Sequence, residues 1–334
     1  KIENPFTEVQ FKSYIQNNKL IIQQCQAKSL GDVSEKGFLA KMTSFFTEPI
    51  KKLFFSKQDE GEVKISGSID LTEMIRPQID LKLQANRAYI NYFLENTQII
   101  FSTKNLTISG RDTILLAGDI TIHKGEVFLD LIESEKNLLL TTTIRETPPY
   151  LHYLLSVSIP GNFYVRSSAL FNSFDMMLMG DLQILQEPKG LLEMYGNLEV
   201  PKGKYFQFEE FAVRDGRLEF VNPKELPNLN IYAEKKKYGY IFQLHVEGNF
   251  NNPVKEIRIF DMQTREEVTH LYPSTKDQIA LLLFGMTFNE IGGSAGNVAL
   301  DKGEEVINQA IISKIENEAR RFIGLDEVRV ESQG

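Results

Sequence analysis

The sequence predicts a mainly β protein with helices confined to its ends, and three observations predict it. Aliphatic and aromatic residues recur at every second position through most of residues 60–260, glycine and proline punctuate the runs, and a glycine-led alternating pattern returns five times. The pattern is plainest over residues 196–233, GNLEVPKGKYFQFEEFAVRDGRLEFVNPKELPNLNIYA, which reads as short half-buried strands joined by tight turns.

Composition bounds the rest. A chain of 334 residues can bury a large core as one elongated β domain or as two ordinary domains. Hydrophobic residues at 42% and charged residues at 25% describe a folded protein, and 23 Phe with 12 Tyr suit strands. A net charge of -8 disfavours phosphate backbones, so no nucleic-acid partner is expected. The single cysteine, Cys25, cannot form an internal disulfide, and four scattered histidines show no metal-ligand spacing, so no metal or other cofactor is expected. No apolar run approaches the ~20 residues that span a bilayer. The chain opens at Lys1 with neither Met nor a secretory signal, which fits a cytosolic protein or the C-terminal piece of a longer exported one.

Taken in order, residues 1–33 carry weak strand patterns around Val9, Phe11, Tyr14 and Leu20–Ile22. In residues 38–54, Phe38, Met42, Phe45, Phe46, Ile50, Leu53 and Phe54 fall mostly at three- and four-residue spacings among lysines. That spacing predicts a basic amphipathic helix interrupted at Pro49, most simply one packed on the end of its own sheet, with a membrane-surface or substrate-mimicking role as the alternative. A charged turn at residues 57–64 precedes the repeat. Gly118-Asp-Ile-Thr-Ile-His-Lys-Gly aligns with Gly196-Asn-Leu-Glu-Val-Pro-Lys-Gly, and its first half recurs at Gly67, Gly161 and Gly180. A second element, proline before a strand, occurs at Pro77 and Pro227, because proline lacks a ladder donor and suits a strand start. Such units cannot bury an apolar face singly and must stack.

In residues 240–248, Tyr240, Phe242, Leu244 and Val246 share one face, and His245 lies on the polar one as a solvated strand histidine. Lys235–Lys237 is expected in a solvated hairpin tip ending near Gly239. Thr275 and Gln278 have capping-box spacing ahead of a short buried helix stopped at Gly285. Residues 303–323 read as an amphipathic helix ended by Gly324, and residues 325–331 as a closing strand. Three regions are therefore expected: residues 1–59, a repeated sheet over 60–260, and C-terminal helices with a closing strand over 261–334.

A search for catalytic chemistry yields one decoy. Gly292-Gly-Ser294-Ala-Gly296 matches the nucleophile-elbow pattern, but polar Asn289-Glu290 stands where a buried strand is required. Glu209 and Glu210 are adjacent in a strand, so they point to opposite faces and cannot act on one substrate. No phosphate loop, dinucleotide fingerprint or HExxH occurs, and no enzyme is expected.

From Pro160 onward the order of motifs becomes specific. Gly161-Asn162 with Val165-Arg166, Gly180-Asp181-Leu182, Gly196-x-Leu198-x-Val200-x-x-Gly203-x-Tyr205 and Gly216-x-Leu218-x-Phe220 come first. Pro227-x-Leu229-x-Ile231-x-Ala233, Val246-x-Gly248, Pro253, Leu281–Gly285 and Ile323-Gly324-Leu325-Asp326 follow. This succession resembles the TamB C-terminal domain, in the wider AsmA-like family of bridge-like lipid transfer proteins. It covers roughly the second half of the chain, and residues 60–155 share the repeat less closely.

The resemblance implies an elongated, U-shaped β-sheet, a taco with an apolar groove, belonging to a periplasmic bridge. Such a bridge runs from an inner-membrane anchor, expected upstream, to an outer-membrane barrel of BamA or TamA type in a diderm bacterium. It implies phospholipid as cargo or, alternatively, a role as an assembly factor for outer-membrane or secreted proteins. On that reading the groove is lined by Ile79, Leu81, Leu83, Ile120, Ile122, Leu182, Ile184, Leu192, Met194, Leu198, Val200, Leu218, Phe220, Leu229, Ile231, Tyr240, Phe242, Leu244 and Val246. Leu325, Val328 and Val330 of the closing strand are the candidates for partner docking. Periodicity by itself fits a closed β-sandwich core equally well, and the resemblance favours the open groove.

Overall fold

The computed structural model describes residues 6–31, 59–92, 97–129, 148–167, 173–206, 209–223, 225–250, 253–287 and 290. The helices expected over 38–54 and 303–323, the strand over 325–331 and the Ser294 loop lie outside them. Among the described residues thirteen strands form one open, curved sheet in which spatial order equals sequence order. They are β1 (Phe6–Gln16), β2 (Lys19–Gly31), β3 (Asp59–Asp70), β4 (Gln78–Tyr92), β5 (Thr97–Gly110), β6 (Thr113–Leu129) and β7 (Tyr150–Ser167). The series continues with β8 (Ser173–Gln186), β9 (Leu192–Phe206), β10 (Glu210–Phe220), β11 (Asn228–Lys237), β12 (Tyr240–Asn249) and β13 (Val254–Asp261).

Every neighbouring pair is antiparallel except β6 and β7, which run parallel with Thr113 beside Tyr150 and Leu129 beside Ser167. Antiparallel neighbours need only a tight turn, whereas a parallel pair makes the chain return along the whole strand before it can pair again. Alternation carries no signal of strand direction, so the sequence did not announce this pair.

The repeated glycines do not open strands. Gly67, Gly118, Gly161, Gly180 and Gly196 lie inside long strands and share positive φ, from +122° at Gly196 to +146° at Gly118. The expected short strands with turns at glycine are corrected accordingly, and the Lys-Gly pairs at 124–125 and 202–203 also lie within β6 and β9. The reason is steric. A Cβ on Gly180 would stand 2.4 Å from the carbonyl oxygen of Asn197, and one on Gly196 would stand 2.3 Å from that of Asp181. Asp181 and Asn197 face each other across β8 and β9, so each strand leaves room for the other's backbone. Register shifts accompany the glycines, between Ile159 and Phe163 in β7 and between Met177 and Met179 in β8. Bulges and glycine bends of this kind curve a sheet.

Pro77 and Pro227 immediately precede β4 and β11, where a missing donor costs nothing. After β13 a 3-10 turn (Thr269–Leu271) leads into helix α1 (Thr275–Phe284). Its N-cap is Ser274, whose hydroxyl accepts from the Lys276 N–H, and not the expected Thr275. The Gln278 side chain turns back to the Tyr272 carbonyl. Gly285 ends the helix at φ +77°, the left-handed position that glycine adopts without a Cβ penalty.

Candidate functional site

Strand parity gathers the apolar side chains on one face. In β11, Leu229, Ile231 and Ala233 are buried between exposed Asn228, Asn230 and Tyr232; in β12, Phe242, Leu244 and Val246 are buried while Gln243 and Glu247 are exposed. Cross-strand register then turns these positions into transverse rows. Leu198, Leu218 and Leu229 align, as do Gly216, Ile231 and Val246, and Ala233, Leu244 and Ile257. Ile120, Val157 and Leu182 make another row, and Leu155, Ile184 and Met194 a further one. Separate rows lie at the other margin: Ile15, Leu20, Ile69 and Ile79 align, as do Phe11, Cys25, Ile65, Leu83 and Leu106. Leu81 sits between Gly67 and Ile108.

Leu182, Leu198, Val200, Leu229, Ile231, Phe242, Leu244 and Val246 are buried members of one apolar cluster. Ile120, Ile122, Ile184, Leu218, Phe220 and Tyr240 pack against it half-buried. Leu83 packs against a second cluster of Ala85, Ala88 and Phe101, while Ile79, Leu81, Leu192 and Met194 are half-buried. Leu325, Val328 and Val330 lie outside the described residues. Across β6 to β9 an open surface depression of about 560 Å³ is lined by Ile120, Val157, Leu182 and Gly196 together with polar neighbours such as Ser156 and Gln183.

Several members of the cluster escaped the sequence reading. Phe211 and Val213 are buried on the same face as Leu218, yet counting back from Leu218 by twos reaches Gly216, Arg214 and Ala212. The register shift between Val213 and Asp215 reverses the parity, and only the pairing with β11 reveals it. Met176, Leu178, Val157 and Ile159 were legible as alternation, as were Ile257 and Ile259 in Ile-Arg-Ile. Leu281 and Leu282 of α1 join the cluster, so the helix packs on the apolar face at its β13 end.

Charges sit at the strand ends and on the opposite face. Lys235 and Lys237 belong to β11, not to a solvated tip, and bind the Glu209 carboxylate at 3.3 and 2.7 Å. Burial pushes that carboxyl up, but the two lysine hydrogen bonds outweigh it and hold it below the usual range. Lys237 also donates to the Leu283 carbonyl at 3.3 Å, as does the Tyr238 hydroxyl at 3.1 Å, and together they anchor the end of α1. Beside them the Tyr240 and Tyr272 hydroxyls lie 3.0 Å apart. Burial, with that hydrogen bond, raises Tyr272 to about 12.

On β6 to β8 a buried Arg166 pairs with Glu126 and, at 3.1 Å, with Asp175. Desolvation raises the Glu126 carboxyl despite the guanidinium. His245 stacks on Tyr232 with ring centroids 4.2 Å apart, a structural surface pair. Among the described residues no three His, Cys, Asp or Glu side chains are placed to hold a metal, and no helix is long and apolar enough to cross a membrane.

What the arrangement offers is a set of apolar rows distributed from β1 to β13, with one buried cluster uniting β7 to β13 and α1 and a separate one on β4 and β5. A family model described as the TamB C-terminal domain matches residues 52–334, and no curated protein matches. The match runs through both the repeated strands and α1, and on that coverage the chain belongs to the family of the TamB C-terminal domain.

Proposed function

We propose that the chain carries phospholipid acyl chains along its apolar face, as part of a non-enzymatic bridge between the inner and outer membranes of a diderm bacterium. TamB proteins serve a translocation and assembly module, span the periplasm, associate with a TamA-type barrel, and are not known as enzymes. The observation that supports lipid is the set of apolar rows on the sheet, from Ile15, Leu20, Ile69 and Ile79 at one margin to Ala233, Leu244 and Ile257 at the other, on a sheet that is open among the described residues. Exposing an acyl chain of ~16 methylenes to water costs on the order of 13 kcal/mol at ~0.8 per CH₂. A groove formed by the curved face removes most of that cost while the head group stays in water.

Ile231 and Leu244 are too deeply buried for a charge to report on cargo alone. Half-buried Leu81 and Leu218 are better probes. The chain purified from a bacterial host is expected to yield phospholipid on solvent extraction and mass spectrometry, with Leu81→Glu and Leu218→Glu reducing the yield at least fivefold while circular dichroism stays unchanged. Absence of phospholipid from the wild-type chain would refute the reading.

The alternative, an assembly factor for outer-membrane or secreted proteins, is favoured by one observation: among the described residues β1 is paired on one side and exposes Phe11 and Ile15, a surface suited to strand addition. On either reading we assign barrel docking to Leu325, Val328 and Val330. Removing residues 325–334 then abolishes capture of the barrel, and unchanged capture excludes that assignment.

A further inference from the structure

The apolar face is not equally accessible along the sheet. On β3 to β6 it keeps half-buried residues within reach of solvent, Ile69, Leu81, Ile108, Leu116 and Ile120 among them. On β8 to β10 access becomes one-sided. Towards the strand ends at Ser173, Phe206 and Glu210 the face is buried, through Met176, Leu178, Tyr205, Phe211 and Val213. Towards the opposite ends, next to residues 187–191 and 221–223, Ile184, Leu192, Met194, Leu218 and Phe220 are half-buried. On β11 to β13 the face is shut: Ile231, Phe242, Leu244, Ile257 and Ile259 are each at most 5% exposed.

The chain that follows β13 closes this end. Val268, Tyr272, Leu281 and Leu282 pack into the same cluster as those strands. Hydrogen bonds tie the segment down along its length. The Val268 N–H donates to the Ile259 carbonyl at 2.8 Å, and the Ile259 N–H to Thr269 Oγ1 at 2.9 Å. The Tyr272 hydroxyl meets that of Tyr240, and Lys237 and Tyr238 hold the Leu283 carbonyl at the end of α1. A close-packed interior has few voids larger than a water molecule, so an acyl chain could enter β11 only by displacing this segment.

We infer that the acyl track has a stop and a side exit. Acyl chains lie on β3 to β10, residues 268–284 bar them from β11 to β13, and they leave over the rim formed by residues 187–191 and 221–223. This inference rests on the lipid reading above and adds the route. The accessible apolar surface narrows towards that rim, through Ile184, Met194, Leu218 and Phe220, before it ends. The Met194 N–H donates to the Pro223 carbonyl at 2.9 Å, which holds the start of β9 against the turn that follows β10. At the rim itself Leu191 is 51% exposed and Val221 71%. Apolar side chains there reduce the hydrocarbon area that meets water as a chain crosses, and the cost of crossing scales with that area.

The test loads the 334-residue chain with phosphatidylethanolamine carrying a photoreactive diazirine, either in one acyl chain or on the head group, and maps the adducts by peptide mass spectrometry after irradiation. The acyl probe is expected to label β3 to β10, Met194 and Phe220 included, and to label β11 to β13 at least tenfold less. The head-group probe is expected to label residues 187–191 and 221–223 in preference to Tyr238 and Gly239 on the opposite rim. Acyl labelling that runs evenly through β13, acyl labelling that halts before β8, or head-group labelling that favours Tyr238 and Gly239 would overturn the stop and exit while the lipid reading stands. No bound lipid and no adduct anywhere would overturn both.

Discussion

At the scale of single residues, partners decide what sequence patterns leave open. Lys235 and Lys237 read as a solvated charge run, yet β11 carries both to the rim where Glu209 and the end of α1 meet them. A charge run has no intrinsic address, so only the strand register could assign this one. The Glu209 carboxyl is depressed in the folded state, so its contribution is present above its unfolded pKa and is lost as pH falls through the lower folded value. Glu209→Gln is therefore expected to lower stability at pH 7 by about 1–2 kcal/mol, the worth of charge-assisted hydrogen bonds at a partly covered site. The two proteins should converge in acid, and urea unfolding measured from pH 7 down to pH 3 checks both the difference and its disappearance.

At the scale of elements, the glycine repeat marks bends within strands. The recurrence itself was legible in sequence, because five glycines before small polar residues stand out from their alternating surroundings. Their role was not legible, since a glycine that starts a strand and one that kinks it leave the same mark. Gly180→Ala tests the distinction. Positive φ for a residue with a side chain costs about 1–3 kcal/mol, and the added Cβ also meets the Asn197 carbonyl at 2.4 Å. Gly216→Ala is the control, where the nearest atoms are side-chain carbons of Val200 and Ile231 at 3.1 and 3.2 Å. The urea midpoint is expected to fall clearly more for Gly180→Ala than for Gly216→Ala, whereas strand-opening glycines would make both substitutions mild.

At the scale of the whole molecule, each strand pairs only with its sequence neighbours among the described residues, so stability is distributed along the sheet as in a repeat protein. The fully buried side chains concentrate from β9 to β13 with α1, among them Val200, Phe211, Phe242, Ile259 and Leu282, whereas β1 is largely exposed. Hydrogen exchange followed by mass spectrometry should show protection greatest in β11 and β12 and least in β1, and equal protection of all strands would contradict a graded sheet. The sequence by itself determined that the protein is mainly β, where β4 and β11 begin, where α1 ends, and which residues share a face within each uninterrupted strand. These follow from local chemistry, namely period-two burial, the missing donor of proline and the left-handed freedom of glycine. Only the tertiary structure decided the parallel step at β6 and β7, the parity reversal after Val213 and the covering of β13 by the chain that follows it. Those features depend on which backbone groups meet across paired strands, and residue type does not encode that meeting locally.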